Sequence, residues 1–216
     1  MRSKLTLTGA RTLVLAVAAA FIGHSQTAQK SDGFADVGPR MQAFVDKGEV
    51  AGVVTLIATK DRILHLNAVG RNDLAKDRKM RTDDIFWIAS MTKPIVAVCV
   101  AILADEGKLS FDDALAKHLP EFAELNIDQN GQAAKASRPI TLWDVMTHTS
   151  GLGEMTAREP HLTLAETSKK LAERPLRFQP GSRWGYSTAG IDVLGRVVEV
   201  VSGMPFDQFL QKRVLD

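Results

Sequence analysis

A serine and a lysine three residues apart are the side chains of this sequence whose types and spacing best suit chemistry. Ser90 precedes Lys93 by three positions, directly ahead of an apolar run at residues 95–103. Helical side chains three apart lie on one face, so the Lys93 ammonium is predicted to fold back toward Ser90 if that residue starts a helix. A partly desolvated lysine can take the proton of a serine hydroxyl and so make it a nucleophile. Nucleophilic catalysis is one interpretation, and a capped, solvated helix end is the other.

The one tyrosine of the chain, Tyr186, is a further candidate. It lies in the segment 181–190, which reads Gly-Ser-Arg-Trp-Gly-Tyr-Ser-Thr-Ala-Gly. A phenol close to a lysine ammonium can become a proton shuttle, because the positive charge favours the phenolate. Taken alone, however, Tyr186 is better explained as a partly buried residue whose hydroxyl finds a backbone partner.

The elements that must position these residues are a strand pair followed by a long run of helices. Two apolar, β-branched stretches at residues 53–58 and 63–69 flank a polar turn, which predicts an antiparallel hairpin. Apolar residues at helical spacing predict helices at residues 37–47, 90–107, 111–119, 141–148, 164–171 and 189–201. The inward stripe of the helix after Ser90 is predicted to be Ile95, Val98, Cys99, Ile102 and Leu103. The polar segments 70–84 and 129–139 are predicted to be surface loops.

The first 28 residues have the pattern of a secretory signal peptide. A basic start precedes an uncharged apolar run at residues 13–22, and small and polar residues follow it. The apolar run is too short to span a bilayer. The sequence therefore predicts an exported protein, periplasmic or secreted, with no stable membrane span once the signal is removed.

The composition of the chain limits its size class and its partners. With 216 residues, 45% hydrophobic and 24% charged, it fits one globular domain or two small ones. Removal of residues 1–28 would take away three basic residues and no acidic one, which lowers the formal net charge from +2 to −1. That charge argues against nucleic acid as a partner. The single cysteine, Cys99, allows no internal disulfide and is predicted to be a small buried hydrophobe.

Motifs for several other chemistries are missing from the sequence. There is no Gly-x-Ser-x-Gly segment, which disfavours an α/β-hydrolase. The five histidines are scattered and form no His-Glu-x-x-His pattern, and no Walker or Gly-x-Gly-x-x-Gly motif occurs. The sequence therefore implies neither a metal nor a cofactor.

Three ordered segments resemble the motifs of one enzyme superfamily. They are residues 88–94 (Ile-Ala-Ser-Met-Thr-Lys-Pro) with 106–113 (Glu-Gly-Lys-Leu-Ser-Phe-Asp-Asp), residues 140–152 (Ile-Thr-Leu-Trp-Asp-Val-Met-Thr-His-Thr-Ser-Gly-Leu), and residues 178–203 around Tyr186. They resemble the serine β-lactamase and penicillin-binding-protein superfamily, and most closely its class C-like branch of β-lactamases, D-alanyl-D-alanine peptidases and β-lactamase-like esterases. The resemblance runs from about residue 38 to the C-terminus.

This resemblance implies an α+β fold, in which an antiparallel sheet flanked by helices is joined to an all-helical domain. We accordingly expect residues 29–110 to form the N-terminal part of the α/β domain with the nucleophile helix. Residues 111–216 are expected to form the helical domain and to carry the tyrosine motif. Family members continue beyond the point equivalent to residue 216, so a truncated chain is expected, without the C-terminal strands, the third motif and the second oxyanion donor.

Carried over position by position, the resemblance implies a role for each candidate. Ser90 would be the acylated nucleophile and Lys93 its proton partner, while Tyr186 would be the general base or part of a shared proton network. The backbone N–H of Ser90 would supply half of an oxyanion hole. His148 and Ser150 are expected to brace the fold rather than to form a triad.

The expected function is that of a serine hydrolase forming an acyl-enzyme, without metal or cofactor. The substrate would be a small-molecule ester, a β-lactam or a D-Ala-D-Ala peptide of the peptidoglycan type. Thr188 stands where the family often has asparagine, and it lacks the donor–acceptor pair of an amide, which favours an ester. The alternative is a truncated, non-catalytic fragment of such an enzyme.

Overall fold

A computed structural model describes residues 32–129, 132–155 and 162–216 of the chain. The predicted signal peptide, residues 1–28, lies outside the described residues. The chain divides into two compact units, the first ending at Phe86 and the second beginning at Trp87. The domain boundary predicted after residue 110 stays a prediction. Within the described ranges, no helix is long and apolar enough to cross a membrane.

The first unit is a helix packed on a small antiparallel sheet. Helix α1 is Val37–Asp46, after a 3-10 turn at Asp32–Phe34, and the strands are β1 (Gly52–Ala58), β2 (Ile63–Asp73) and β3 (Arg78–Lys79). The strand order is β1-β2-β3, with Gly52 opposite Gly70, and α1 packs against β1 and β2. The predicted hairpin is present. Its second strand runs four residues beyond the predicted end at residue 69.

The segment 70–84 is therefore not a simple loop, as the sequence predicted, because it returns as β3 beside the end of β2. Charged side chains at the end of β2 pair with the turn that follows, as Arg71 does with Asp77 and Asp73 with Lys76. Such a strand has no apolar alternation, which is the signal that predicts a strand from sequence.

The second unit is mostly helical. Its helices are α2 (Thr92–Asp105), α3 (Leu115–His118), α4 (Leu142–Met146), α5 (Leu164–Ala172), α6 (Thr188–Ser202) and α7 (Phe206–Leu210). Two 3-10 turns, Ala89–Met91 and Pro120–Phe122, and a terminal π turn, Gln211–Leu215, complete the helical part. Helix α6 lies at the centre, where it packs against α2, α4, α5 and α7. The fully buried side chains of this core include Val100, Leu103, Leu115, Leu142, Leu171, Val193, Leu194 and Phe209.

The second unit also contains a short hairpin where the sequence predicted a polar loop. Strands β4 (Asn126–Gln129) and β5 (Gln132–Lys135) pair in antiparallel fashion, and Ile127 also bridges to Leu176. Ile127 of β4 is buried and Ala134 of β5 is half-buried, while the other described side chains of the two strands are exposed, so their sequence has the composition of a loop. The predicted all-helical domain thus holds two strands. The α+β fold class is confirmed, with small antiparallel sheets and helices in the described residues.

Helix α2 is rotated relative to its predicted orientation. Its buried residues are Val96, Cys99, Val100 and Leu103, whereas Val98 is 46% exposed. The helix is apolar on almost every side, so the spacing of apolar residues does not fix which face turns inward. Cys99 is fully buried, as predicted, and burial raises the pKa of its thiol.

A salt bridge with a buried aspartate fixes the start of helix α4. The Thr141 hydroxyl accepts a hydrogen bond from the Asp144 N–H, and the Asp144 carboxylate accepts one from the Thr141 N–H at 2.9 Å. The two bonds form a reciprocal capping box at the start of the helix that the sequence predicted over residues 141–148. Asp144 also receives both arms of the Arg138 guanidinium, at 2.6 and 2.9 Å. The arrangement anchors the start of α4, from which the chain continues to His148.

Candidate active site

Ser90 lies in the 3-10 turn that leads into α2. The preceding residue, Ala89, has φ +46°, in the left-handed region that residues other than glycine seldom adopt. This sharp turn leaves the Ser90 side chain exposed at the start of the helix. Pro94 lies in the first turn of α2, where a proline needs no hydrogen-bond partner. One turn after Ser90, the Lys93 ammonium donates a hydrogen bond to the Ser90 Oγ at 3.3 Å.

Tyr186 reaches the same serine from a distant part of the chain. Its hydroxyl donates a hydrogen bond to the Ser90 Oγ at 2.8 Å, across 96 positions of sequence. The Lys93 Nζ lies 4.9 Å from the centroid of the Tyr186 ring. The three residues singled out from the sequence are therefore gathered around one hydroxyl oxygen.

The contacts of Tyr186 change the acidity of its phenol. The hydrogen bond with Ser90, followed by the one with Lys93, lowers the pKa of Tyr186 below its usual value of 10. Burial and the nearby Glu154 carboxylate act in the opposite direction but are outweighed. A phenol with a lowered pKa spends more time as the phenolate, which is the form that can accept a proton.

The backbone around Tyr186 is held by polar contacts. The Arg177 guanidinium donates to the carbonyl oxygens of Gly185 at 3.2 Å and of Tyr186 at 3.0 Å. Ser187 caps α6, because its Oγ accepts a hydrogen bond from the Gly190 N–H at 3.0 Å. Tyr186 therefore lies between a backbone segment that Arg177 holds and the capped start of α6.

Glu154 completes the start of α6. Its carboxylate accepts hydrogen bonds from the Thr188 N–H at 2.5 Å and the Ala189 N–H at 3.3 Å. A negative charge at this position is favoured by the dipole of the helix. Sequence reasoning missed Glu154, and no local pattern could have indicated it, because the contact spans 34 positions.

His148 is also next to the site, although the sequence suggested only that it braces the fold. Its ring lies against the Tyr186 ring, with centroids 4.6 Å apart, and at right angles to the Trp184 ring. Burial, and then the charge of Lys93, lowers the pKa of His148, while Glu154 acts in the opposite direction. Ser150, from the same segment, is buried, and its hydroxyl accepts a hydrogen bond from the Leu152 N–H. Ser150 is therefore not open to a substrate.

A pocket of about 240 Å³ lies beside the serine. Its wall is mixed: Trp87 and Ile191 supply apolar surface, Thr92 and Thr188 supply hydroxyls, and Asp192 supplies a carboxylate. A larger cavity of about 600 Å³ lies in the first unit between α1 and the sheet. That cavity has no serine, cysteine or histidine in its lining, so the chemistry belongs to the smaller pocket. In the described part of the chain, no three His, Cys, Asp or Glu side chains are grouped as metal ligands.

Comparison with known proteins relates most of the chain to one family. The family model described as Beta-lactamase matches residues 38–216. Esterase EstB of Burkholderia gladioli is 35% identical over 192 residues, covering 79% of this chain and 47% of that protein. Lovastatin esterase of Penicillium rubens is 32% identical over 195 residues, covering 81% of this chain and 49% of that protein.

A solved structure gives the same relationship in three dimensions. The structure described as EstCE1, a hydrolase with promiscuous acyltransferase activity, superposes with a TM-score of 0.72 at 29% identity, covering 83% of this chain and 50% of that one. The chain spans about half the length of the curated relatives it matches. Its relatives include esterases, and Ser90, Lys93 and Tyr186 all fall within the matched range. The resemblance seen in the sequence is confirmed, and the chain belongs to the Beta-lactamase family.

Proposed function

We propose that this protein is a serine hydrolase that cleaves small esters through an acyl-enzyme on Ser90. The observation that carries the proposal is the Ser90 Oγ with two partners, Lys93 at 3.3 Å and Tyr186 at 2.8 Å. Both partners can take or stabilise a proton, which is what an acylated serine requires.

The proposed reaction begins with transfer of the Ser90 proton to the Tyr186 phenolate. The Lys93 ammonium stabilises that phenolate before the transfer. The freed Ser90 Oγ attacks the ester carbonyl carbon and forms a tetrahedral intermediate, whose oxyanion is expected to meet the Ser90 backbone N–H. The ester C–O bond then breaks, and Tyr186 returns its proton to the departing alcohol.

Hydrolysis of the acyl-enzyme repeats the sequence with water. Tyr186, again a phenolate, takes a proton from water as the hydroxide adds to the acyl carbon. When the second intermediate collapses, the bond to the Ser90 Oγ breaks, the serine recovers the proton and the carboxylic acid leaves. Lys93 remains positively charged throughout, and its role is to favour the phenolate of Tyr186.

Esters are the favoured substrate class for three reasons. Two relatives above 30% identity are esterases by name. Thr188, which follows the tyrosine motif and lines the pocket, offers a hydroxyl instead of an amide. Trp87 and Ile191 give the pocket an apolar wall that fits an acyl chain or an alkyl alcohol. β-Lactams and D-Ala-D-Ala peptides are the competing classes.

The decisive experiment is labelling of the protein with a fluorophosphonate, followed by peptide mass spectrometry. The expected result is one adduct, on Ser90, that is absent from Ser90→Ala and retained in Ser182→Ala, a serine outside the pocket. A folded protein without the adduct would overturn the proposal and favour a non-catalytic fragment. An adduct on Ser187 or Ser150 would overturn the assignment of the nucleophile.

Substrate class is then separated by rates on three probes. These are a short-chain nitrophenyl ester, a chromogenic cephalosporin and a D-Ala-D-Ala peptide. We expect the ester to give the highest kcat/KM. A cephalosporin or peptide rate above that of the ester would assign the site to the competing class.

We also propose that the protein is exported and works in the periplasm or outside the cell. The support is the signal-like pattern of residues 1–28, followed by a chain without basic excess. Mass spectrometry of the protein recovered from its native host tests this. A new N-terminus near residues 25–29 is expected, and an intact N-terminus in the cytoplasm would contradict it.

A further inference from the structure

His148 makes contacts on both sides of Tyr186 as well as with Tyr186 itself. Its carbonyl oxygen accepts a hydrogen bond from the Gly185 N–H at 2.8 Å. Its ring Nδ1 accepts one from the Ser187 N–H at 3.3 Å. Between these two bonds, the imidazole lies on the phenol ring with 4.6 Å between centroids. One residue therefore brackets the tyrosine from residue 185 to residue 187.

The backbone of His148 is held in a conformation that needs support from its surroundings. Its φ is +61°, in the left-handed region, where histidine, asparagine and aspartate are the most common residues other than glycine. This conformation turns the chain after α4 so that both the carbonyl and the ring face the tyrosine segment. Such strained residues cluster at sites where geometry has to be fixed.

The bond from Ser187 requires one protonation state of the ring. Because Nδ1 accepts a hydrogen bond, it has to be unprotonated, and the ring proton of neutral His148 then lies on Nε2. Lys93 faces the ring from α2, Glu154 from the loop before α5, and Tyr186 from the segment before α6. Protonation would remove the acceptor for Ser187 and would place a second positive charge near Lys93.

We propose that neutral His148 is a positioning residue that holds the Tyr186 hydroxyl against Ser90, and that its protonation releases the segment 185–187 and switches the site off. The inference rests on the proposed function only in taking Tyr186 as the proton acceptor. His148 touches no reacting atom, so its effect passes through the position of the phenol. His148 is half-buried and its pKa is lowered, so the ring is neutral at neutral pH, and the site should lose activity as the pH falls through that pKa.

Two substitutions separate the hydrogen-bond acceptor of the His148 side chain from the backbone conformation of that residue. His148→Asn keeps an acceptor, since the amide oxygen occupies the place of Nδ1, and asparagine tolerates a positive φ. His148→Gly keeps the backbone conformation and the bond to Gly185 but removes the acceptor and the ring. His65→Asn is the matched control, because that histidine lies in the first unit and bonds the Thr55 hydroxyl instead.

The first measurement follows the ionisation of Tyr186 by the ultraviolet absorbance of its phenolate. The chain has one tyrosine, so the signal has one source and needs no turnover. We expect His148→Gly to raise the Tyr186 pKa toward 10, as the phenol leaves Ser90 and Lys93. His148→Asn and His65→Asn should titrate close to wild type. A folded His148→Gly protein with the wild-type Tyr186 pKa would overturn the proposal.

The second measurement is the rate of fluorophosphonate labelling of Ser90 as a function of pH. A misplaced phenol should slow labelling of His148→Gly by about 10²-fold. His148→Asn should recover most of the rate. Protonation of the Tyr186 phenolate lowers the rate in every variant, but the further fall below pH 6.5 belongs to His148 and should be seen in wild type and His65→Asn and be absent from His148→Asn. If His148→Gly does not fold, His148→Asn decides, since a persistent further fall below pH 6.5 in that variant would overturn the switch. A wild-type protein that is not labelled at all would overturn the hydrolase proposal, and the absorbance titration would still decide this one.

Discussion

The Lys93 ammonium lies 4.9 Å from the centroid of the Tyr186 ring while it donates to the Ser90 Oγ at 3.3 Å. A cation over an aromatic face is attracted to it, and the same charge stabilises the phenolate form. Lys93 therefore acts on the serine and on the tyrosine at once. Removal of either partner is expected to change what the other can do.

We expect the losses from Lys93→Ala and Tyr186→Phe to be strongly non-additive. Each should lower kcat/KM for a nitrophenyl ester by about 10²–10⁴-fold, the range for a general acid or base. The double variant should be little worse than the poorer single variant, because the groups act as one unit. Lys117→Ala, whose lysine is exposed and pairs with Asp113, is the matched control. Additive losses would show that the two residues act separately.

Ser90→Ala and Lys93→Ala are each expected to raise the pKa of Tyr186. The hydrogen bond with Ser90 is the larger cause of the lowered pKa and Lys93 the next. Without the Ser90 hydroxyl or the Lys93 ammonium, the phenolate of Tyr186 is less stabilised, so the phenol should ionise at a higher pH. Phenolate absorbance measures the shift, and Tyr186→Phe supplies the baseline. A lower pKa in either variant would contradict the site as described.

Asp144→Ala is expected to destabilise the fold by about 2 kcal/mol, since it removes the carboxylate that accepts hydrogen bonds from Arg138 and from Thr141 at the start of α4. The Asp144 carboxylate is almost fully buried, and Arg138 and Thr141 both bond it. Asp83→Ala is the matched control, because the Arg81–Asp83 pair is fully exposed and should change stability little. Urea unfolding measures both variants. Equal effects would mean that burial of the pair does not matter.

The same carboxylate makes stability depend on pH. Burial opposes ionisation of Asp144, but hydrogen bonds from Arg138 and Thr141 outweigh it and lower its pKa below the usual 3.8. An unfolded aspartate therefore binds its proton at a higher pH than the folded one. The stabilisation is fully present above pH 3.8 and is lost as the pH falls through the folded pKa. Asp144→Ala should have a flatter acid branch in a plot of stability against pH.

Gly151→Ala is expected to destabilise the protein by more than about 2 kcal/mol, as strain in the backbone adds to a steric clash. Gly151 has φ +81°, and an added Cβ would meet the carbonyl oxygen of Phe178. Gly107→Ala is the control, since Gly107 has φ +68° with open space around the added carbon. Thermal unfolding should show a larger loss for Gly151→Ala. Equal losses would assign the whole effect to backbone strain.

Local signals in the sequence predicted much of the helical frame. The spacing of Ser90 and Lys93 predicted their contact, and apolar residues at helical spacing predicted the helix that is α4. The meeting of Tyr186 with Ser90 was different, since it came from the resemblance and spans 96 positions. No spacing rule reaches that far along a chain.

The features that the sequence did not predict have physical reasons. The charged strand β3 and the strands β4 and β5 carry little apolar surface, so they have no alternation to detect. Helix α2 is apolar on almost every side, so Val96 rather than Val98 could face inward. The part His148 plays in the site depends on a positive φ and on two bonds to residues almost 40 positions away, and neither leaves a local pattern.

The complete burial of Cys99 makes the chain its own reporter of transient opening. It is the one cysteine among 216 residues, and it lies on the inward face of the helix that starts beside Ser90. A small alkylating reagent can reach that sulfur only after α2 has left the core. The alkylation rate, compared with that of a free thiol, therefore gives the free energy of this excursion without an introduced label. The helix that begins beside Ser90 thus contains a natural thiol whose alkylation rate reports how often that helix leaves the core.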